Sequence, residues 1–198
     1  MRKIGITGGV GSGKSEILRF LRKEYGAEIL IADEIGHEQM EPGTPGYAKI
    51  RAAFGDGILN AGGEIDRKKL GAVVFADPDK LAVLNGIIHP EVFRVIGERL
   101  ERAEAKGSPF AVVEAALLLE AGLETGLDEV WYIYVEEETR IRRLMEGRGY
   151  SRETCLAIMK NQMGEKAFRE ACGVTIDNSH TWEETVDAIR KHCEREQR

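Results

Sequence analysis

The chain has 198 residues, of which 42% are hydrophobic and 31% charged, with a formal net charge of −6. That length supports one domain with a proper core and room for small inserted subdomains. The acidic balance argues against a general nucleic-acid or membrane-surface partner, so an anionic substrate has to be held by local groups. Cys155, Cys172 and Cys193 are far apart and show no CxxC spacing, which points away from a zinc site or a disulfide framework and toward a reduced compartment. The apolar stretch near Met1 is too short for a signal-peptide core, and no run of about 18 apolar residues is present. The cytoplasm is the expected setting.

Residues 3–7 read as a short apolar strand. A helix follows with Ile17, Leu18 and Leu21 on one face, and Gly26 should end it. Ile29, Leu30 and Ile31 mark a second buried strand, with Asp33 at its carboxyl end. Pro42, Gly43, Pro45 and Gly46 read as a loop. Residues 47–105 show mostly helical spacing, with His89-Pro90 expected at a helix start. Gly107-Ser108-Pro109 breaks the pattern before two strands near 110–113 and 130–135. A helix over about 137–146 should stop at Gly147-Arg148-Gly149-Tyr150, and Ser151 can cap the next one. A fifth strand near 173–177 precedes Thr181-Trp182-Glu183-Glu184, a capping-box pattern for the last helix. Strands alternating with helices predict an α/β fold with a parallel sheet. The long helical stretch between strands two and three exceeds a simple crossover and reads as an inserted subdomain.

Residues 8–15, Gly-Gly-Val-Gly-Ser-Gly-Lys-Ser, match the phosphate-binding loop pattern. Glycines let successive backbone N–H groups face inward, and the following helix adds the positive end of its dipole. Gly9, Gly11, Ser12, Gly13, Lys14, Ser15 and Glu16 are the candidate nucleotide contacts. Lys14 can reach the β and γ phosphates as a point charge. The Ser15 hydroxyl is the expected Mg2+ ligand beside ATP. No Asn-Lys-x-Asp guanine-reading motif is present, which disfavours a GTPase.

Outside the loop, Asp33 can serve as a general base for a hydroxyl acceptor or simply as a helix N-cap. His89 can contact a phosphate or base, or be a satisfied structural residue. Asp66 looks like a cap, and Arg67 can bind an anion. Glu114 and Glu120 flank an apolar run that can be packing or a ligand wall, and their carboxylates can order magnesium waters or bind a ribose. Arg140, Arg142, Arg143 and Arg148 form the densest basic region. Their acidic neighbours suggest a solvated, salt-bridged face. Arg148, at the glycine-flanked break, is the better lid candidate.

The ordered set of these features resembles the dephospho-coenzyme A kinase family over about residues 3–190. It rests on Ile6 through Ser15, Ala32-Asp33, Asp66-Arg67 with Leu70 and Val74-Phe75, His89-Pro90, Leu117-Leu118 with Glu120, Arg143-Leu144, Gln162 and Ile176-Asp177-Asn178. The resemblance implies a P-loop three-layer fold with a five-stranded parallel sheet flanked by helices. It implies a nucleotide core from 1–33, 107–136 and 170–198, a helical substrate domain at 34–106 and a lid at 137–166. It further implies transfer of the ATP γ-phosphate to the ribose 3′-hydroxyl of dephospho-coenzyme A, with magnesium. Asp33 would be the base. Arg67, His89, Leu117, Leu118 and Glu120 would lie around the acceptor, and Arg148 and Asn178 near ATP. The chain departs from the family pattern at Ile31, where an aspartate is usual, at Glu16, where threonine is usual, and at Gly147-Arg148, where Arg-Asp is usual. Another small-metabolite or nucleoside monophosphate kinase is the competing reading, followed by a nucleotide-binding regulator without turnover.

Overall fold

The computed structural model describes residues 1–194, so the last four positions of the 170–198 segment lie outside the described residues. In chain order the elements are β1 (Arg2–Thr7), α1 (Lys14–Tyr25), β2 (Glu28–Ile31), α2 (Ala32–Glu38), α3 (Pro45–Phe54), a 3-10 turn (Asp56–Ile58), α4 (Arg67–Val74), α5 (Pro78–Ala105), β3 (Phe110–Glu114), β4 (Glu129–Tyr134), α6 (Glu137–Arg148), α7 (Arg152–Lys160), α8 (Glu165–Ala171), β5 (Val174–Asp177) and α9 (Trp182–Glu194). They divide into two compact units: Met1–Ile29 together with the chain from Gly107 onward, and Leu30–Lys106.

The sheet has five strands in the order β2–β3–β1–β4–β5, with β1 parallel to β3 and β4, and β4 parallel to β5. This is the P-loop kinase arrangement of a sheet flanked by helices. All of β3 and the middle of β4 are buried, which explains why they read as continuous apolar runs rather than alternating ones. Register sets the site. Ile6 lies opposite Glu114, Thr7 opposite Tyr132, and Tyr134 opposite Asp177. The carboxyl ends of these strands therefore share one edge, where open parallel sheets carry their ligands.

Helix α1 buries Ile17, Leu18 and Leu21, the expected stripe, and ends at Gly26 (φ 62°), whose N–H donates to the Leu21 carbonyl. Ser151 accepts from the Thr154 N–H at 3.2 Å, and Thr181 accepts from the Glu184 N–H at 3.3 Å, so both expected caps form. A small cluster of Ile141, Leu144 and Cys155 joins α6 to α7, and Val10 of the glycine loop packs against it with Tyr150 and Met159. On the sheet, Phe168 of α8 stacks on Tyr132 with ring centroids 4.6 Å apart.

The second unit is helical around a core of Ile50, Ile58, Leu70, Val74 and Leu84. Two expectations are corrected here. Pro45 and Gly46 open α3 rather than extend the loop, because Thr44 caps the helix and a first-turn proline loses no needed donor. Pro90 does not start a helix: it lies inside α5, a 28-residue helix. Proline removes the bond to the carbonyl four residues back. Here that residue is Gly86, which is exposed, so water can satisfy its carbonyl. Buried Glu91 on the same helix is paired with Lys49 at 2.6 Å and Arg94 at 3.0 Å. Hydrogen bonds from Lys49 and Arg94 hold its carboxyl below the usual carboxylate range.

In the first unit, Gly147 and Arg148 likewise belong to a helix. Helix α6 runs through Arg148 and closes at Gly149 (φ 66°), two residues later than the sequence suggests.

Candidate active site

The loop between β1 and α1 is built by its glycines and by what approaches them. Gly13 has φ 85°, a left-handed conformation, and a Cβ there would strike the Asn178 amide. A Cβ at Gly9 would strike the Arg140 guanidinium. The Ser12 N–H donates to the Gly9 carbonyl at 3.1 Å, which folds the loop onto itself. The Ser12 hydroxyl is buried without a protein hydrogen-bond partner, as expected of a group lining a polar cradle.

Lys14 reaches back over this loop. Its ammonium donates to the Gly8 carbonyl at 2.7 Å and lies 3.5 Å from a carboxylate oxygen of Glu114. Both side chains are mostly buried, at 14% and 11% exposure. A charge pair this sheltered is screened little by water. Glu114 gets there through the sheet, since it is the last residue of β3 and sits in register with Ile6 of β1. Of the roles open to Glu114, counter-ion to the loop lysine is the one the geometry displays.

Asn178, just past β5, joins the two ends of the unit. Its Nδ2 donates to the Ser12 carbonyl at 2.8 Å, its Oδ1 accepts from the Thr185 hydroxyl at 2.9 Å, and its backbone N–H donates to the Tyr134 carbonyl at 2.8 Å. It is 5% exposed. Asn178 therefore fixes the backbone of the glycine loop.

The arginine helix differs most from the sequence reading. Among the described residues, Arg140, Arg142 and Arg143 make no ion pair, so the salt-bridged face is not formed. Half-buried Arg140 instead donates from Nε to the Val10 carbonyl at 3.2 Å and from its terminal nitrogen to Gln162 Oε1 at 2.6 Å. Burial pushes its guanidinium below the ordinary value, with Tyr132 and Glu137 opposing, and it remains a cation. An Arg143 nitrogen lies 3.7 Å from where a Gly13 Cβ would be. Arg148 is exposed in the last turn of α6. Sequence reasoning preferred Arg148, whereas Arg140 and Arg143 are the arginines that lie at the glycine loop. The equal spacing of Arg140 and Arg143 on one face was visible, but nothing in the sequence said that this face meets the loop.

Leu117 and Leu118 split. Leu117 is 61% exposed, whereas Leu118 is fully buried beneath Gly5 and offers no surface to a ligand. Glu120 is exposed. In the second unit, Asp33 lies in the first turn of α2, whose N-cap is Ile31 with no side-chain cap bond, so Asp33 is not the cap. Asp66 is a cap, accepting from the Lys68 N–H at 2.9 Å and the Lys69 N–H at 3.2 Å. Asp33, Arg67 and His89 are all exposed, and none makes a side-chain hydrogen bond to another described residue. His89 is therefore not a satisfied core histidine.

For a metal, the hard oxygens at the loop are the exposed Ser15 hydroxyl and the Glu114 carboxylate. No group of three or more His, Cys, Asp or Glu able to hold a metal occurs among the described residues. That donor set fits a magnesium ion that keeps its waters and arrives with nucleotide phosphates. Glu16 points away from this role, 3.8 Å from Arg19 on the outer face of α1.

Comparison with known proteins agrees with this geometry. The family model described as dephospho-CoA kinase matches residues 2–184. A dephospho-CoA kinase of Geobacter sulfurreducens is 44% identical over 193 residues, covering 96% of each chain. One from Carboxydothermus hydrogenoformans is 41% identical over 186 residues, covering 94% of this chain and 90% of its own. The crystal structure of TT1252 from Thermus thermophilus superposes with a TM-score of 0.80 at 33% identity, covering 96% of this chain and 95% of that one.

Proposed function

The chain belongs to the dephospho-CoA kinase family, and we propose from that premise that it transfers the γ-phosphate of ATP to the ribose 3′-hydroxyl of dephospho-CoA. The observation that carries the reading is Lys14, held over the glycine loop by the Gly8 carbonyl and Glu114. An ammonium fixed there meets the β and γ phosphates, and the loop N–H groups and the start of α1 receive the rest of the phosphate charge.

Gly9, Gly11, Ser12, Gly13, Lys14, Ser15 and the Glu16 backbone amide hold the donor. Asn178 keeps that loop in shape. The arginine charge near the phosphates is assigned to Arg140 and Arg143 rather than Arg148, because those two face the loop. Magnesium, held by Ser15 with waters near Glu114, neutralises charge on the phosphate oxygens when bound. Asp33 is the general base, since its carboxylate is exposed and engaged in neither a cap nor an ion pair, and so is open to a hydroxyl proton. Arg67 and His89 on the helical unit, with Leu117 and Glu120, receive the acceptor.

A cytoplasmic setting suits the chain. Its cysteines are unpaired and buried, with burial pushing the thiols of Cys172 and Cys193 up to about 11. No described helix is long and apolar enough to cross a membrane.

A coupled assay with ATP, magnesium and dephospho-CoA tests the proposal directly. Dephospho-CoA should far outperform adenylate and nucleosides as acceptor. A flat response across that panel would sink it.

A further inference from the structure

Beside the glycine loop lies a cavity of about 500 Å3, formed at the carboxyl end of β4 by α6, α7 and the turn into α8. Sites that bury small ligands span roughly 300–1,000 Å3. Its wall carries the rings of Tyr132 and Tyr134 and the thioethers of Met159 and Met163, with Arg140 and Lys160 as cations. Among the described residues neither cation forms a direct salt bridge, although Glu137 lines the same cavity and acts on Arg140. Glu165, the nearest acid on α8, is taken up by Arg169 at 2.7 Å, and Arg169 itself lies over the Tyr134 ring at 4.6 Å. The cavity thus combines flat aromatic and sulfur-bearing surface with two cations, Arg140 and Lys160, and two carboxylates, Glu137 near Arg140 and Glu165 held by Arg169. That combination suits a purine that carries phosphates.

The position along the loop says which substrate it serves. Asn178 and Arg143 lie at the Gly13 end, where α1 begins. Loop N–H groups at that end meet the α and β phosphates, so the donor's nucleoside leaves from there. Arg140 lies at the opposite end, against Gly9 and Val10, and the Lys14 ammonium bonds Gly8 on that same end. The lysine marks the β and γ phosphates, so the cavity opens past the phosphate that is transferred.

We propose that this cavity seats the adenine diphosphate end of the acceptor, with Arg140 and Lys160 on its phosphates and Tyr132, Tyr134, Met159 and Met163 against its base. The assignment rests on the function proposed above and adds where the acceptor's nucleotide is read. Acceptor specificity would then lie partly in α7 and the α7–α8 turn, and not only in the helical unit.

The test uses steady-state kinetics of the full chain with Lys160→Ala and Met163→Asp. Lys160 is exposed and makes no side-chain bond, so its removal leaves the fold intact, and thermal melting checks this for both variants. The KM for dephospho-CoA should rise about tenfold or more with Lys160→Ala, the loss expected for one charge-assisted contact, and with Met163→Asp, which sets a carboxylate against the base and near the phosphates. The KM for ATP should stay within about twofold, and Lys160→Arg should recover most of the affinity. An unchanged acceptor KM in both folded variants overturns the assignment. So does a rise in the ATP KM instead, which would make the cavity part of the donor site. Absence of turnover by the unaltered chain sinks the functional reading, and this assignment with it.

Discussion

The ammonium of Lys14 stands 3.5 Å from the Glu114 carboxylate, one on the first helix and the other at the end of β3. A lysine has three donors and four flexible methylenes, so it needs a fixed partner to stand where phosphates arrive. Lys14→Ala should lower kcat/KM by on the order of 10³-fold, the scale of a lost transition-state donor. Glu114→Gln keeps the side-chain size and removes the charge. It should lower kcat at least about tenfold while the melting temperature stays close to that of the parent, since hydrogen bonding survives. A normal kcat would show that Glu114 only packs.

Asn178 uses both ends of its amide, one on Ser12 and one on Thr185. Asn178→Ala leaves the buried Ser12 carbonyl without its amide donor, at a cost of about 1–3 kcal/mol, while the Thr185 hydroxyl keeps the Thr181 carbonyl. Calorimetry should show a melting temperature several degrees lower and a higher KM for ATP. Asn178→Asp should be no better, because an ionised carboxylate cannot donate to the Ser12 carbonyl.

Asp33 does not cap α2. Replacing it by Asn should therefore leave the melting temperature within about 1 °C while lowering kcat at least about 100-fold, the usual scale of a general base. ATP affinity, read by titration, should not change. A parent-like kcat for Asp33→Asn would falsify the base assignment.

Glu91 supplies a pH dependence. Its carboxyl is held below the ordinary value, first by the Lys49 hydrogen bond and then by Arg94. A depressed folded pKa contributes stability that is present above the unfolded value. That stability is lost as pH falls from there through the folded one. Urea unfolding should show a drop in stability between about pH 5 and pH 3, in the window set by ordinary carboxylates. Glu91→Gln should flatten part of that drop and be less stable at pH 7.

Much of the core could be read from the chain because it is local. The glycine loop is contiguous, the Ile17, Leu18 and Leu21 stripe follows helical spacing, and Ser151 and Thr181 cap helices within three residues of themselves. What escaped depends on distance or on tolerance. Arg140 meets Val10 across 130 residues, and periodicity gives a face without saying what it packs against. Glu114 meets Lys14 only through the β1–β3 register. Pro90 violates a local rule that α5 accommodates, because its own length and packing outweigh one lost bond. Gly147 read as a break, but α6 continues through it to Arg148.

Val10, the one branched side chain among the loop glycines, is packed into the Ile141, Leu144 and Cys155 cluster. The minimal transplantable device is therefore larger than its motif. Grafting residues 8–15 onto another scaffold would leave Val10 stranded in water and the loop without its splint. A chimaera that also carried the 140–159 segment would move the catalytic backbone and its brace as one cassette.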